Sequence, residues 1–169
     1  LARMFREQTA KAGMLFIVND HLDIALAVNA DGVHLGQEDL PVAVARKLAP
    51  DLLIGASSHS VNQALQAEQE GADYVNVGPI FATGTKAATV QPLGVEAIEL
   101  IGGKLNVPYT VMGGITAANL NEVLARGARR IAVVTAITMA ADIAATVQAL
   151  RFRIRTYSRV FSCPLLALQ

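Results

Sequence analysis

The chain has 169 residues, of which 53% are hydrophobic and 17% are charged. This length suits one domain, and the composition excludes a disordered chain and favours an α/β protein with a buried parallel sheet. Fourteen basic residues balance fourteen acidic ones, so no overall electrostatic field favours nucleic acid or an anionic membrane as the partner.

Cysteine content and hydropathy indicate the cellular compartment in which the protein is expected. The single cysteine, Cys163, cannot form an internal disulfide, and we interpret it as a thiol without a special role. No apolar run reaches the ~20 residues of a membrane span, and the first residues carry charges where a signal peptide would be apolar. We therefore expect a cytoplasmic protein with neither a membrane nor a nucleic-acid partner.

An amphipathic helix followed by a short apolar run occurs three times along the chain. The helical stretches are residues 23–28, 61–70 and 117–126, and the runs that follow them are residues 29–36, 71–78 and 127–134. Ser60 is a suitable N-cap for the middle helix, and Gly71 is a suitable stop. The pattern predicts repeated helix–strand units.

Together with further apolar runs, these repeats predict six strands. The further runs are residues 14–18, 52–56 and 109–112, and the six strands end near Val18, Leu35, Ala56, Val77, Met112 and Val134. Helices are also predicted at residues 41–48 and 94–101, and residues 5–8 end a helix before the first strand. This alternation predicts βα units with right-handed crossovers and one parallel sheet.

Two architectures fit such an alternation, a (β/α) barrel and a doubly wound open sheet. The open sheet would carry a Gly-x-Gly-x-x-Gly turn after its first strand, which the sequence lacks. Polar or glycine-rich residues instead follow all six predicted strands, at 19–20, 36–39, 57–59, 78–79, 113–114 and 135. Barrels build their sites from loops at one rim in this way, so we predict a (β/α) barrel.

Two aspartates follow consecutive predicted strands. Asp20 comes just after the first strand and Asp39 after the second, so the two carboxylates should face one another at the rim. They could bind Mg²⁺, which accepts carboxylate oxygens and completes its shell with water and substrate phosphate oxygens. They could equally cap the helices that follow.

The loops after the last two predicted strands suggest a phosphate site. Gly113-Gly114 follows the fifth strand, and Val134-Thr135-Ala136 follows the sixth. Glycines let backbone N–H groups approach a phosphate, and barrels often bind phosphate on the loops of their last two strands. A Gly-Gly pair alone also serves ordinary tight turns.

Other polar residues are weaker candidates. Thr83-Gly84-Thr85-Lys86 lies in a long loop that could be an anion-binding lid or a solvated polar turn. Ser57 and His59 are candidate substrate contacts, although a serine beside a helix is often only a cap. His34 lies inside a predicted strand and is interpreted as a packed core histidine.

Five segments, in order and with family-like spacing, resemble thiamine-phosphate synthases. They are residues 16–20, 30–39, 71–74, 78–86 and 113–115. The resemblance implies a (β/α)₈ TIM barrel that joins hydroxymethylpyrimidine diphosphate to a thiazole phosphate, giving thiamine phosphate and pyrophosphate. In that family the diphosphate leaves first and the thiazole nitrogen attacks the resulting cation, so the chemistry mainly requires charge stabilisation on the leaving group.

The resemblance also implies roles for individual residues. The Mg²⁺ ligands would be Asp20 and Asp39. The residues that contact the pyrimidine diphosphate would be Asn19, Ser57 and Lys86, with Ser57 and Lys86 as the catalytic candidates. The thiazole substrate would be held by Thr83, Gly84 and Thr85, with its phosphate at Gly114, Val134 and Thr135.

The chain departs from the family at both ends. The family begins with a strand, a helix and a second strand whose Gln-x-Arg-Glu-Lys motif grips the diphosphate, and no segment here matches that motif. Six strands where eight close a barrel leave two unpaired edges. We expect a fragment of a longer protein or an incomplete barrel completed by a partner, and a homo-oligomer stays open.

Residues 1–150 are predicted to form the single barrel domain and residues 151–169 a divergent tail, in which arginines alternate with apolar residues. Three functions remain: thiamine-phosphate synthase, a thiazole tautomerase-like isomerase, and a truncated barrel that binds phosphate without turnover. A metal-free isomerase would not need both Asp20 and Asp39, which favours the synthase.

Overall fold

The structure is a computed structural model that describes residues 1–84 and 91–161. Thr85, Lys86 and Cys163 lie outside the described residues. The elements in chain order are α1 (Ala2–Lys11), β1 (Ile17–Asn19), α2 (Leu22–Ala27), β2 (Gly32–Leu35), α3 (Val42–Leu48), β3 (Leu53–Ser58), α4 (Val61–Gln69), β4 (Tyr74–Val77), α5 (Glu96–Gly102), β5 (Tyr109–Val111), α6 (Leu120–Ala125), α7 (Thr135–Thr138) and α8 (Ile143–Phe161).

Strands β1 to β5 form one sheet in the order in which they occur along the chain. The pairs β1–β2, β2–β3 and β3–β4 are all parallel. A doubly wound sheet reverses its strand order at a switch point, whereas the wall of a (β/α) barrel keeps chain order. The order therefore confirms the predicted α/β fold of the barrel type.

The predicted elements lie close to where the sequence indicated, with one difference. The sixth predicted strand is reduced to a single parallel bridge between Val111 and Ile131. Val134, with φ −120° and ψ −77°, is no longer extended and is the N-cap of α7. Ser60 caps α4 as predicted, since its side chain accepts a hydrogen bond from the N–H of Gln63.

The described chain divides into two compact units, the first of which comprises residues 1–77 and 101–109. Alternate residues of its strands are fully buried, including Val33, Ile54 and Val75. Of the residues between them, His34, Ser57 and Tyr74 are only partly buried, whereas Gly55 and Asn76 are buried. Because successive side chains of a strand point to opposite faces, one face of this sheet supplies the apolar core, and the other carries the partly buried polar residues His34, Ser57 and Tyr74.

The second unit comprises residues 78–100 and those from 110 onward. Its core includes Ile98, Val111, Leu120 and Val123, all fully buried. Helix α8 runs without a break across residue 150, so the residues after 150 continue a helix, and the division of domains at this point stays a prediction. Among the described residues, no helix is both long and apolar enough to cross a bilayer.

The sequence repeat in the first unit has a structural cause. Asp31, just before β2, accepts hydrogen bonds from the N–H of Phe16 at 2.7 Å and from Arg6 at 2.7 Å. Asp73, just before β4, makes the equivalent pair of bonds, with Ile54 N–H at 2.7 Å and Arg46 at 2.6 Å. Each aspartate thus ties the start of its own strand to the preceding strand and to a helix.

The two hydrogen bonds that Asp31 accepts, from the N–H of Phe16 and from Arg6, should make the free energy of unfolding depend on pH. The N–H of Phe16, followed by Arg6, holds the pKa of Asp31 below its ordinary value despite the opposing effect of desolvation. A lowered pKa contributes stability above the unfolded-state value of about 4, and this stability is lost as the pH falls through the folded-state value. We expect Asp31→Asn to lower the free energy of unfolding at pH 7 and to have a smaller effect at pH 3.

Urea unfolding at pH 7, 5 and 3 would measure this difference. Asp51→Asn is the matched control, because Asp51 is exposed and precedes β3 without a recorded partner among the described residues. If the difference between Asp31→Asn and the wild type were the same at pH 7 and pH 3, the charge of Asp31 would not be the source of its contribution.

Candidate active site

A row of residues crosses the available face of the sheet in the first unit. Asn19 pairs with His34, His34 with Gly55, and Gly55 with Tyr74. Residues in register on neighbouring parallel strands present their side chains to the same face. Strand pairing alone therefore brings an amide, an imidazole and a phenol together at the carboxyl-end half of β1 and β2.

His34 is the centre of a hydrogen-bonded network in this row. Its Nδ1 lies 3.0 Å from the Tyr74 hydroxyl, and its Nε2 lies 2.9 Å from Ser57 Oγ. The Gln37 side-chain amide donates to the Ser57 carbonyl at 2.6 Å. His34 was predicted to be a packed core histidine; it is half-buried, and both of its ring nitrogens have hydrogen-bond partners, one of which is Ser57.

Tyr74 closes the network on its buried side. Burial raises the pKa of Tyr74 to about 12, because desolvation disfavours the phenolate. The hydroxyl therefore keeps its proton at neutral pH and can donate it to His34. Ser57 lies within β3, so it does not cap the helix that follows, a role that Ser60 fills.

Asp20 and Asp39 lie on the loops after β1 and β2. The N–H of Asp20 donates to the His34 carbonyl at 2.8 Å, and one of its carboxylate oxygens accepts from the Asn19 amide at 2.7 Å. Asp39 Oδ2 accepts from the N–H of Gly36 at 2.6 Å. The N-cap residues of α2 and α3 are His21 and Pro41, so neither aspartate occupies the capping position that the sequence left open.

Asp20 and Asp39 supply oxygen donors of the kind that Mg²⁺ accepts. Two carboxylates on adjacent loops supply hard oxygen ligands. The described residues contain no group of three or more His, Cys, Asp or Glu side chains that could enclose an ion. Zinc and calcium sites draw most of their ligands from the protein, whereas Mg²⁺ keeps waters and takes substrate phosphate oxygens.

A groove of about 430 Å³ borders Asp20 but does not suit a diphosphate. Its lining consists of four leucines, Leu22, Leu26, Leu40 and Leu48, together with Asp20, His21 and Asp23. Diphosphate oxygens need donors and cations, whereas this lining combines leucines with two carboxylates and contains no lysine or arginine. We therefore assign the candidate site to the polar row and not to this groove.

In the second unit, Gly113 and Gly114 make room for a neighbouring segment of backbone. A Cβ on Gly113 would lie 2.5 Å from Pro79, and one on Gly114 would lie 2.5 Å from the Ala82 carbonyl. The segment is fixed there by hydrogen bonds from Ile80 to Met112 at 2.9 Å and from Phe81 to Gly113 at 3.0 Å. Close packing therefore explains the glycine pair without a ligand.

The loops predicted to bind phosphate also lie in this unit. Because Val111 pairs with Ile131, Gly114 and Val134 each lie three residues beyond the paired position. Thr135 is the first residue of α7, and Val134 is its N-cap. Thr83 and Gly84 lie in the same unit, after the segment that crosses the glycine pair.

Comparison with known proteins agrees with the resemblance seen in the motifs. Residues 1–137 match the family model described as thiamine monophosphate synthase. The thiamine-phosphate synthase of Pelotomaculum thermopropionicum is 52% identical over 147 residues, which cover 86% of this chain and 67% of that protein. The chain belongs to the thiamine-phosphate synthase family.

Two further relatives support this membership. The thiamine-phosphate synthase of Chloroflexus aurantiacus is 48% identical over 146 residues, covering 86% of this chain and 68% of that protein. The solved thiamine phosphate pyrophosphorylase of Pyrococcus furiosus is 39% identical with a TM-score of 0.87, covering 92% of this chain and 75% of that one. The matched region thus spans about two thirds to three quarters of these members of the thiamine-phosphate synthase family.

Sequence reasoning did not predict the roles of Tyr74, Gln37 and His34 in the network. Tyr74 contributes to the sequence prediction only as part of residues 71–74, and Gln37 only as part of the polar loop at 36–39. His34 was interpreted as core because it lies in a strand. The available signal was the alternation of the strand: His34 lies between the apolar Val33 and Leu35. With a period of two, this predicts that His34 faces away from the core.

The packing of Gly113 can be tested by substitution. We expect Gly113→Ala to lower the free energy of unfolding by about 1–3 kcal/mol more than Gly127→Ala does, because the added methyl meets Pro79. Gly127 is a matched control: both glycines have positive φ, 104° and 89°, but a Cβ on Gly127 would meet nothing within 4 Å. Denaturant unfolding of both variants gives the comparison, and equal losses would leave the backbone conformation as the whole cause.

Proposed function

We propose that this chain carries the thiamine-phosphate synthase reaction: transfer of hydroxymethylpyrimidine from its diphosphate to a thiazole phosphate, giving thiamine phosphate and pyrophosphate. The reaction would take place in the cytoplasm on small-molecule substrates with Mg²⁺ as cofactor. The observation that carries the proposal is the polar row Asn19–His34–Gly55–Tyr74 with Ser57 and the two rim aspartates, in a chain 52% identical to a thiamine-phosphate synthase.

The diphosphate half of the reaction is proposed for the first unit. Asp20 and Asp39 would hold Mg²⁺, which, when bound, neutralises charge on the departing diphosphate. Asn19 donates to Asp20 at 2.7 Å and so orients one ligand, while the Gly36 N–H orients the other at 2.6 Å. Ser57, held by His34, would donate a hydrogen bond to the diphosphate. Such preorganised donors stabilise developing negative charge without reorganisation during the reaction.

The thiazole phosphate half is proposed for the second unit. Gly114 and Val134 each lie three residues beyond the paired Val111 and Ile131, and Thr135 comes next after Val134. Backbone N–H groups in such loops can bind phosphate oxygens. The family resemblance assigns Thr83, Gly84 and Thr85 to binding of the thiazole substrate. Lys86 would contact the diphosphate, where an ammonium group adds a charge-assisted hydrogen bond.

A direct activity measurement tests the proposal. The purified chain is incubated with hydroxymethylpyrimidine diphosphate, thiazole phosphate and Mg²⁺, and thiamine phosphate is quantified by chromatography after oxidation to its fluorescent thiochrome. Product that needs both substrates and Mg²⁺ supports the synthase. Binding of thiazole phosphate without any product would support a phosphate-binding barrel instead, and isomerised thiazole would support the tautomerase-like alternative.

Asp39→Asn should distinguish a role of Asp39 in Mg²⁺ binding from a role in the structure of its loop. The asparagine side chain can still accept the Gly36 N–H, so the turn is kept while the charge is lost. We expect Mg²⁺-dependent binding of the pyrimidine diphosphate to weaken at least about 10–100-fold, measured by calorimetric titration with Mg²⁺ and with a chelator. Binding of thiazole phosphate should not change.

Asp51→Asn again provides the control, since this exposed aspartate precedes β3 and should leave both titrations unaltered. Equal weakening of both ligands by Asp39→Asn would show that Asp39 acts through the structure of its loop.

Lys86→Ala tests the charge-assisted contact. We expect the dissociation constant of the pyrimidine diphosphate to rise by a factor that corresponds to about 1.5–3 kcal/mol. Calorimetric titration at two salt concentrations measures it, and Lys104→Ala, at a lysine that follows α5, is the control. A dissociation constant like that of the wild type would place the ammonium group in solvent.

A further inference from the structure

We propose that Tyr74 is a positioning residue for the reaction: its hydroxyl selects the His34 tautomer that makes Ser57 a hydrogen-bond donor toward the substrate. This inference rests on the proposed function, because it names what prepares Ser57 for the departing diphosphate. It concerns the tyrosine of the polar row, to which the proposed reaction has so far given no role.

The sheet brings Tyr74 to His34 across an intervening strand. His34 on β2 and Tyr74 on β4 both pair with Gly55 on β3. A Cβ on Gly55 would overlap the hydroxyl-bearing edge of the Tyr74 ring, so the ring occupies the space that a side chain at position 55 would take. The two rings stack with centroids 5.5 Å apart, and the hydroxyl reaches Nδ1 at 3.0 Å.

The direction of the hydrogen bonds follows from the available donors. A neutral imidazole has one N–H and one acceptor nitrogen. The Tyr74 hydroxyl carries a proton, and in the described part of the chain its recorded hydrogen-bond partner is Nδ1. A partly buried hydroxyl whose proton found no acceptor would lose stability. Tyr74 therefore donates to Nδ1, and the imidazole proton is on Nε2.

This assignment fixes the role of Ser57. The Nε2–H group donates to Ser57 Oγ across 2.9 Å, so the serine hydroxyl uses its oxygen toward His34 and keeps its own proton for another acceptor. Gln37 holds the Ser57 carbonyl at 2.6 Å, which fixes the backbone from which the hydroxyl projects. The acceptor that suits this donor is an anionic oxygen, such as one of a departing diphosphate.

The opposite tautomer would reverse this preference. With the proton on Nδ1, Nε2 would accept the Ser57 proton, and the serine oxygen would face the substrate as an acceptor. Lone pairs that point at a diphosphate repel it. The Tyr74 hydroxyl is linked to Ser57 by two successive hydrogen bonds through His34. It thus sets whether Ser57 attracts or repels the leaving group.

The experiment compares the full chain with Tyr74→Phe, which keeps the ring over Gly55 and removes only the hydroxyl. Two-dimensional ¹H–¹⁵N spectra of the histidine side chains, recorded at a pH of about 8.5 where imidazole is neutral, report the tautomer directly. The chain has three histidines, and His34→Gln identifies the signals of His34. Tyr109→Phe, at a tyrosine of β5, is the matched control.

We expect His34 to be protonated on Nε2 in the wild type and in Tyr109→Phe, and to become a mixture of tautomers in Tyr74→Phe. We also expect kcat to fall about tenfold in Tyr74→Phe with KM changed less than about twofold, because the donor acts on charge that develops as the bond breaks. A loss of fold would instead change the spectra of all three histidines.

A wild type protonated on Nδ1, a His34 tautomer unchanged in Tyr74→Phe, or an unchanged kcat would each overturn the inference. The tautomer measurement needs no substrate. A wild-type chain that makes no thiamine phosphate would therefore refute the proposed function, and the spectra would separately decide whether Tyr74 orients His34.

Discussion

Parallel pairing of β1 to β4 without a shift in register is the constraint on which the candidate site depends. Because the strands pair in chain order, one position on each contributes to a single row, and Asn19, His34, Gly55 and Tyr74 fall in that row. A shift of one residue in any strand would send its member to the core face. The hydrogen bonds of the network therefore inherit their geometry from the backbone.

The two ends of these strands serve different purposes. At the amino ends, Asp31 and Asp73 each bind a backbone N–H and an arginine, which fixes the starts of β2 and β4. At the carboxyl ends lie the side chains proposed for catalysis. The bonds of Asp31 and Asp73 stabilise the register at the amino ends. The residues at the carboxyl ends can therefore be polar and partly exposed, because strand pairing does not depend on them.

The sequence allowed the fold to be predicted well and the site only in part. Apolar runs and their spacing indicated the strands, since burial in a parallel sheet imposes such runs. The last one, ending near Val134, was overestimated because a run of apolar residues does not show that the backbone turns into α7. The network was missed for a different reason: contacts such as that of His34 with Tyr74 depend on register, which no local pattern records. Likewise, position 113 has no room for a side chain because Pro79, a residue far from it in sequence, packs against it.

Gly55 and Tyr74 share a single volume, and this has a consequence for how the two positions can change during evolution. Any side chain at position 55 would have to displace the aromatic ring, and loss of the ring would leave a gap that a larger residue at 55 could fill. Each substitution is costly by itself and tolerable with the other. Across descendants of this sequence, the two positions are therefore expected to be inherited as a pair, so that a glycine at 55 accompanies an aromatic residue at 74.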